Sequence, residues 1–133
     1  MLLIWNFSFG QTFGKDTVFI FSTNFNATTI IAIPCDEFAT QFENRIKASE
    51  VYASDSIAML KQFIKKSKFY RKQGKFEPDT RGKLIYNEFE ICVDHFQISI
   101  NGQVVKRKRN KKFLKFILSL IPKEQLSHSL PKY

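Results

Sequence analysis

Two runs of lysine and arginine are the residues with the most chemistry to offer, and that chemistry is anion binding. Lys61, Lys65, Lys68 and Lys72 recur at intervals of four, three and four residues. On a helix that turns about 100° per residue, this spacing stacks them in a stripe about 60° wide. Like charges so stacked repel by roughly 0.2–0.5 kcal/mol per pair. No acidic residue stands between Lys61 and Phe76 to relieve them, and Lys66, Arg71 and Lys75 widen the field.

The second run is denser: Lys106, Arg107, Lys108, Arg109, Lys111, Lys112 and Lys115. It leads into an expected helix, where cations oppose the positive end of the helix dipole. A bound phosphate reverses that sign, since free backbone N–H groups and basic side chains would both point at it. These two runs are the candidate binding residues, and nucleic acid is the expected partner. Lysine outnumbers arginine in them, which favours point-charge phosphate contacts over bidentate reading of bases. Weak sequence specificity and steep salt dependence follow. Phe69, Tyr70, Phe76 and Tyr86 lie among the basic residues; they can stack on unpaired bases or pack into the core. A solvated face is the ordinary alternative for any charge run, and an acidic protein surface would answer the same charges.

The charge balance supports an anionic partner. Residues 1–60 carry three basic against six acidic residues, and residues 61–133 carry eighteen against six, within a net charge of +9. Such polarity directs one side of a molecule toward anions. The fifteen phenylalanines match a coding bias toward Phe, Ile, Asn and Lys and say little about function.

Other chemistry is thinner. Metal-dependent nucleases combine an Asp on one turn with a Glu-x-Lys on the next strand, the carboxylates holding Mg²⁺. Asp79 precedes Glu88 and Glu90 here, with Lys83 nearby, but Glu90 stands where that lysine is required. His95 and His128 are the two histidines; His95 falls in an expected turn and reads as structural. Cys35 follows Pro34 at a strand-to-helix junction, where Asp36 and Glu37 would raise a thiol pKa and discourage a nucleophile. Cys35 and Cys92 form no disulfide framework or metal-ligand spacing, so reduced thiols are expected. No phosphate-binding or dinucleotide-binding glycine motif occurs, and no metal or cofactor is expected.

These residues must be positioned by one domain. The length is near the modal domain size, and 44% hydrophobic residues can build a core. Leu2–Phe9, Thr17–Ser22 and Thr28–Ile33 read as strands of an antiparallel meander. Pro34 ends the third, and Asp36 can cap a helix over 37–47 with Phe38, Phe42 and Ile46 on one face. Ser54 and Asp55 open a longer helix to Lys72, its inner side Ile57, Leu60, Phe63, Ile64 and Ser67. After a loop at 75–82, Lys83–Val93 reads as one strand and Phe96–Ile100 as another. Asn101-Gly102 then marks a tight hairpin that returns Gln103–Lys106. Asn110 can cap a last helix, Lys111–Ile121, stopped by Pro122. That helix leaves only Lys112, Lys115 and Ser119 as a polar strip, so it is buried in the core or against a partner; as a membrane-surface element it lacks a clean polar face.

The expectation is an α+β fold with a largely antiparallel five- to six-stranded sheet and about three helices on one face. A single domain covers 1–122 and a loose tail 123–133. Met1–Phe9 lacks the basic start and cleavage site of a signal peptide, and no run reaches about 18 apolar residues; a soluble, cytoplasmic protein is expected. A nucleic-acid-binding accessory protein leads. A protein-interaction module competes, either an inhibitor of phage or mobile-element type or a ribonucleoprotein subunit. A nuclease stands third.

Overall fold

The computed structural model describes residues 17–27, 29, 31–70 and 78–126, with 107–110 described by backbone alone. Along the chain come Val18–Ser22 (β1), a 3-10 turn at Cys35–Glu37, Phe38–Gln41 (α1), Lys47–Val51 (β2) and Ser54–Lys66 (α2). Gly82–Tyr86 (β3), Phe89–Val93 (β4), Ile98–Ile100 (β5), Gln103–Val104 (β6), Arg107–Leu120 (α3) and Lys123–Leu126 (α4) follow. Among the described residues the strands form one six-stranded sheet in the order β2-β1-β3-β4-β5-β6, antiparallel throughout. The fold is α+β.

Period-two alternation directs Val18 and Ile20 of β1, Leu84 and Tyr86 of β3, and Ile91 and Val93 of β4 to one face, where all are buried. Ile57 and Leu60 of α2 and Phe113 and Ile117 of α3 close that core. The two long helices meet through Phe63, whose ring stacks on Phe113 at 5.0 Å and lies 5.4 Å from Phe116. Phe21 points to the other face, against a smaller cluster of Ile33, Phe38 and Phe42. The expected one-sided placement therefore holds for α2 and α3, while the 3-10 turn and α1 lie on the opposite face.

Cys92 belongs to that second face and is bonded to Cys35, with Cα atoms 5.7 Å apart. The expected reduced thiols are corrected: a separation of 57 residues hides a distance that folding brings within disulfide reach. Disulfides persist in oxidising compartments, so the expected cytoplasmic setting loses the support that free thiols lent it. No described helix is long and apolar enough to cross a membrane.

Several elements differ from their sequence reading. The expected strand Leu2–Phe9 lies outside the described residues. Thr28–Ile33 is irregular at its described positions, and the second neighbour of β1 is β2 instead. Helix 37–47 shrinks to α1 because Lys47–Val51 gains a full ladder with β1, Phe21 opposite Ala48; tertiary pairing overrides a weak helix preference. Phe38 and Phe42 still pack together, their rings 5.7 Å apart. Lys83–Val93 is a hairpin, with Tyr86 opposite Phe89 and Asn87 at φ 53° in the turn, a left-handed conformation that asparagine tolerates. Asn101-Gly102 turns as expected, with φ 49° and 88°. Helix α3 starts at Arg107, so Asn110 is interior to it. Residues 123–126, expected as the start of a tail, form α4: Gln125 is buried, its side-chain amide donates to the Ser22 carbonyl (3.0 Å), and its own carbonyl accepts from Phe25 N (2.7 Å).

Gly82 shows how tightly this end of the core is filled. A Cβ there would meet Phe25 Cζ at 3.0 Å, Val93 Cγ2 at 3.2 Å and Ile121 Cδ1 at 3.3 Å. Gly82→Ala is expected to cost about 1–3 kcal/mol as an overpacked site, measured by urea unfolding; an unchanged midpoint would show that the three neighbours yield freely.

Candidate nucleic-acid interface

The lysine stripe expected along one helix is divided by the fold. Helix α2 ends at Lys66, after which Ser67 is extended (ψ 141°) and its hydroxyl donates to the Phe63 carbonyl (2.8 Å). Such back-bonding competes with continued helix. Lys61 and Lys65 remain on α2, Lys68 lies on extended chain beyond it, and Arg71 and Lys72 lie outside the described residues.

The extended segment makes the junction on which the candidate interface rests. Lys106 N donates to the Lys68 carbonyl (2.7 Å), Tyr70 N donates to the Val104 carbonyl (2.9 Å), and Phe69 pairs with Val105 as an antiparallel bridge. Lys68 of the first basic run thus lies beside Lys106, the start of the second. Lys61, Lys65, Lys66, Lys68, Lys106, Lys111, Lys112 and Lys115 are all exposed, and Arg107, Lys108 and Arg109 form the opening turn of α3.

The two runs differ electrostatically. Lys65 and Lys66 occupy the last turn of α2, where the helix dipole favours cations; structure alone accounts for them. The first turn of α3 has no acidic residue and no side-chain cap, so its cations sit where the dipole opposes them. Helix-dipole electrostatics therefore favour the first arrangement and not the second.

Beside the lysines runs a groove of about 410 Å³, lined by Lys61, Ile64 and Lys65 of α2 and by Tyr86, Asn87, Glu88 and Phe89 around the β3–β4 turn. Of the aromatic residues expected near the charge, Tyr86 is buried, Phe69 and Tyr70 are half-buried, and Phe76 lies outside the described residues. Phe89, not singled out by sequence, is the half-buried ring that the groove exposes; its signal is a strand residue directly after a two-residue turn.

The carboxylates considered for metal binding are not brought together. Asp79 pairs with Arg81 (2.8 Å) and accepts from Ile33 N (2.8 Å), while Glu90 pairs with Lys83 (2.9 Å). Glu88 sits in the turn at the far end of the β3–β4 hairpin from Asp79, a strand of five residues away, or roughly 17 Å at about 3.4 Å per residue. Among the described residues no three His, Cys, Asp or Glu side chains form a group that could hold a metal. His95 packs edge-on against Phe25 (5.5 Å) in a turn where Asp94 accepts from the backbone N of Phe96 and Gln97 (2.6 and 2.7 Å).

Sequence reasoning passed over Arg81, which is almost wholly buried. Its guanidinium donates to both Asp79 carboxylate oxygens (2.8 and 3.2 Å), to the Thr80 carbonyl (2.9 Å) and twice to the Ala27 carbonyl (3.1 and 2.9 Å). It also lies 5.0 Å from the centre of the Phe42 ring. Among the described residues, two groups beside β2 have displaced titration: Glu124 is held below the usual carboxylate range by its own backbone N–H and then by Lys47 at 3.0 Å, and hydrogen bonding to Glu50 raises the Tyr52 phenol. Comparison with protein-family models, curated proteins and solved structures finds no match to this chain.

Proposed function

We propose that this protein binds nucleic acid through phosphate contacts from its lysine-rich face, with little reading of sequence. The observation that carries the reading is the junction at Lys68 and Lys106, whose backbones are hydrogen-bonded at 2.7 Å. Two basic runs almost forty residues apart become neighbours there, and the α3 run opposes its own helix dipole. Several phosphates along one backbone could then be contacted together. The contacts are point charges on flexible stems, suited to a backbone and not to base edges.

Fluorescence anisotropy with labelled single-stranded and duplex DNA and RNA, titrated across salt, tests this. Non-specific binding with Kd in roughly the 10⁻⁶–10⁻⁴ M range at physiological salt is expected, with log K falling linearly in log salt. The Lys65→Glu/Lys68→Glu/Lys112→Glu variant removes three exposed cations and should flatten the salt slope by about two to three. Absence of binding at low salt would retire the proposal and leave an acidic protein as the partner to seek.

A further inference from the structure

We infer that the groove between α2 and the β3–β4 turn takes one unpaired, amino-bearing nucleobase, so that the basic face prefers single strands to duplex; this rests on the nucleic-acid reading above. The groove has a composite lining that a phosphate alone does not explain. Ile64 and the half-buried Phe89 supply apolar and aromatic surface, with the buried Tyr86 behind them, Lys61 and Lys65 stand on the α2 side, and Asn87 and Glu88 stand on the turn. A phosphate placed beside Glu88, on the turn side, would be repelled by it. A nucleotide answers every part of it: base ring to Phe89, phosphate to the lysines, and a base amino group to the carboxylate.

The volume of about 410 Å³ falls at the small end of ligand clefts, roughly 300–1,000 Å³, which suits one nucleotide. A base inside a duplex has both faces stacked and its pairing edge occupied, so only an unpaired base can enter. Carboxylates accept from exocyclic amines such as cytosine N4, a donor that thymine and uracil lack. Glu88 is exposed and belongs to a turn whose backbone is set by Asn87, so its identity is open to choice by function and not by packing.

Competition anisotropy with short oligo-dC, oligo-dT, their RNA counterparts oligo-rC and oligo-rU, and a mixed-sequence duplex distinguishes the outcomes. Wild type should prefer dC to dT and rC to rU, and single strands to duplex, by several-fold. Glu88→Ala removes the acceptor and should bring the dC/dT ratio close to one; a ratio is insensitive to the variant's altered net charge. Phe89→Leu keeps the apolar packing and should weaken single-strand binding about tenfold, the value of one lost base stack, while duplex binding is unchanged. Equal binding of dC and dT by wild type, or an unaltered ratio in Glu88→Ala when circular dichroism shows native structure, would overturn the inference while leaving phosphate binding intact. Failure of wild type to bind any of the probes would overturn the functional reading itself.

Discussion

Replacing Arg81 by methionine is expected to destabilise the fold by about 3–5 kcal/mol, the usual consequence of removing one partner from a buried charged network. The side chain is 4% exposed, and methionine matches its volume without its donors. The Thr80 carbonyl would lose its partner at a buried position, where an orphan costs about 1–3 kcal/mol, and the half-buried Ala27 carbonyl would lose the bonds it accepts from both Nε and Nη2. Asp79 would keep its bond from Ile33 N and is 41% exposed, so solvent moderates its share. Arg81→Lys restores charge but not the planar fork that meets Asp79 and Ala27 together, and should recover less than half of the loss. Asp79→Asn should cost about 1–2 kcal/mol. Urea unfolding followed by circular dichroism measures all three, and a loss under 1 kcal/mol in Arg81→Met would show that the network is dispensable.

Reducing the Cys35–Cys92 bond should cost a similar amount. The bridge closes a loop of 57 residues, for which chain entropy in the unfolded state predicts about 4 kcal/mol. Cys35→Ser, at the half-buried end of the bridge, should reproduce the effect of reductant. The melting temperature should fall by roughly 10–20 °C, and reductant should then have no further effect on the variant. Equal melting of wild type with and without reductant would count against a structural role for the bond. Both Arg81 and the disulfide fasten the same excursion, Arg81 through Ala27 and the bridge through Cys35. Their losses should therefore combine with a coupling above about 0.5 kcal/mol instead of adding simply.

Much of the fold follows from local pattern. TVFIFS alternates and is flanked by turn residues, so β1 is legible. Asn101-Gly102 needs two left-handed residues, the demand that this dipeptide meets at least cost. The apolar positions of α2 and α3 recur at helical spacing and reach the core because that spacing makes one face. What escaped is just as physical. Lys47–Val51 has no run of apolar residues because, among the described residues, it borders the sheet and is largely exposed, so only its pairing with β1 makes it a strand. The β3–β4 turn has no glycine, and its two strands therefore read as one.

The sequence by itself determined the chemical character of the candidate site: a surplus of lysine in the second half, divided into two runs, with few groups fit for catalysis. Charge and residue type need no coordinates. Only the tertiary structure decided that α2 stops at Lys66, that Lys68 lies against Lys106, and that Glu88 and Phe89 share a groove with Lys61 and Lys65. The disulfide and the Arg81 network belong to the same category. Each depends on contacts between residues far apart in the chain, whose free energy comes from burial and hydrogen bonding gained when the whole sheet forms; no local window of sequence contains both partners.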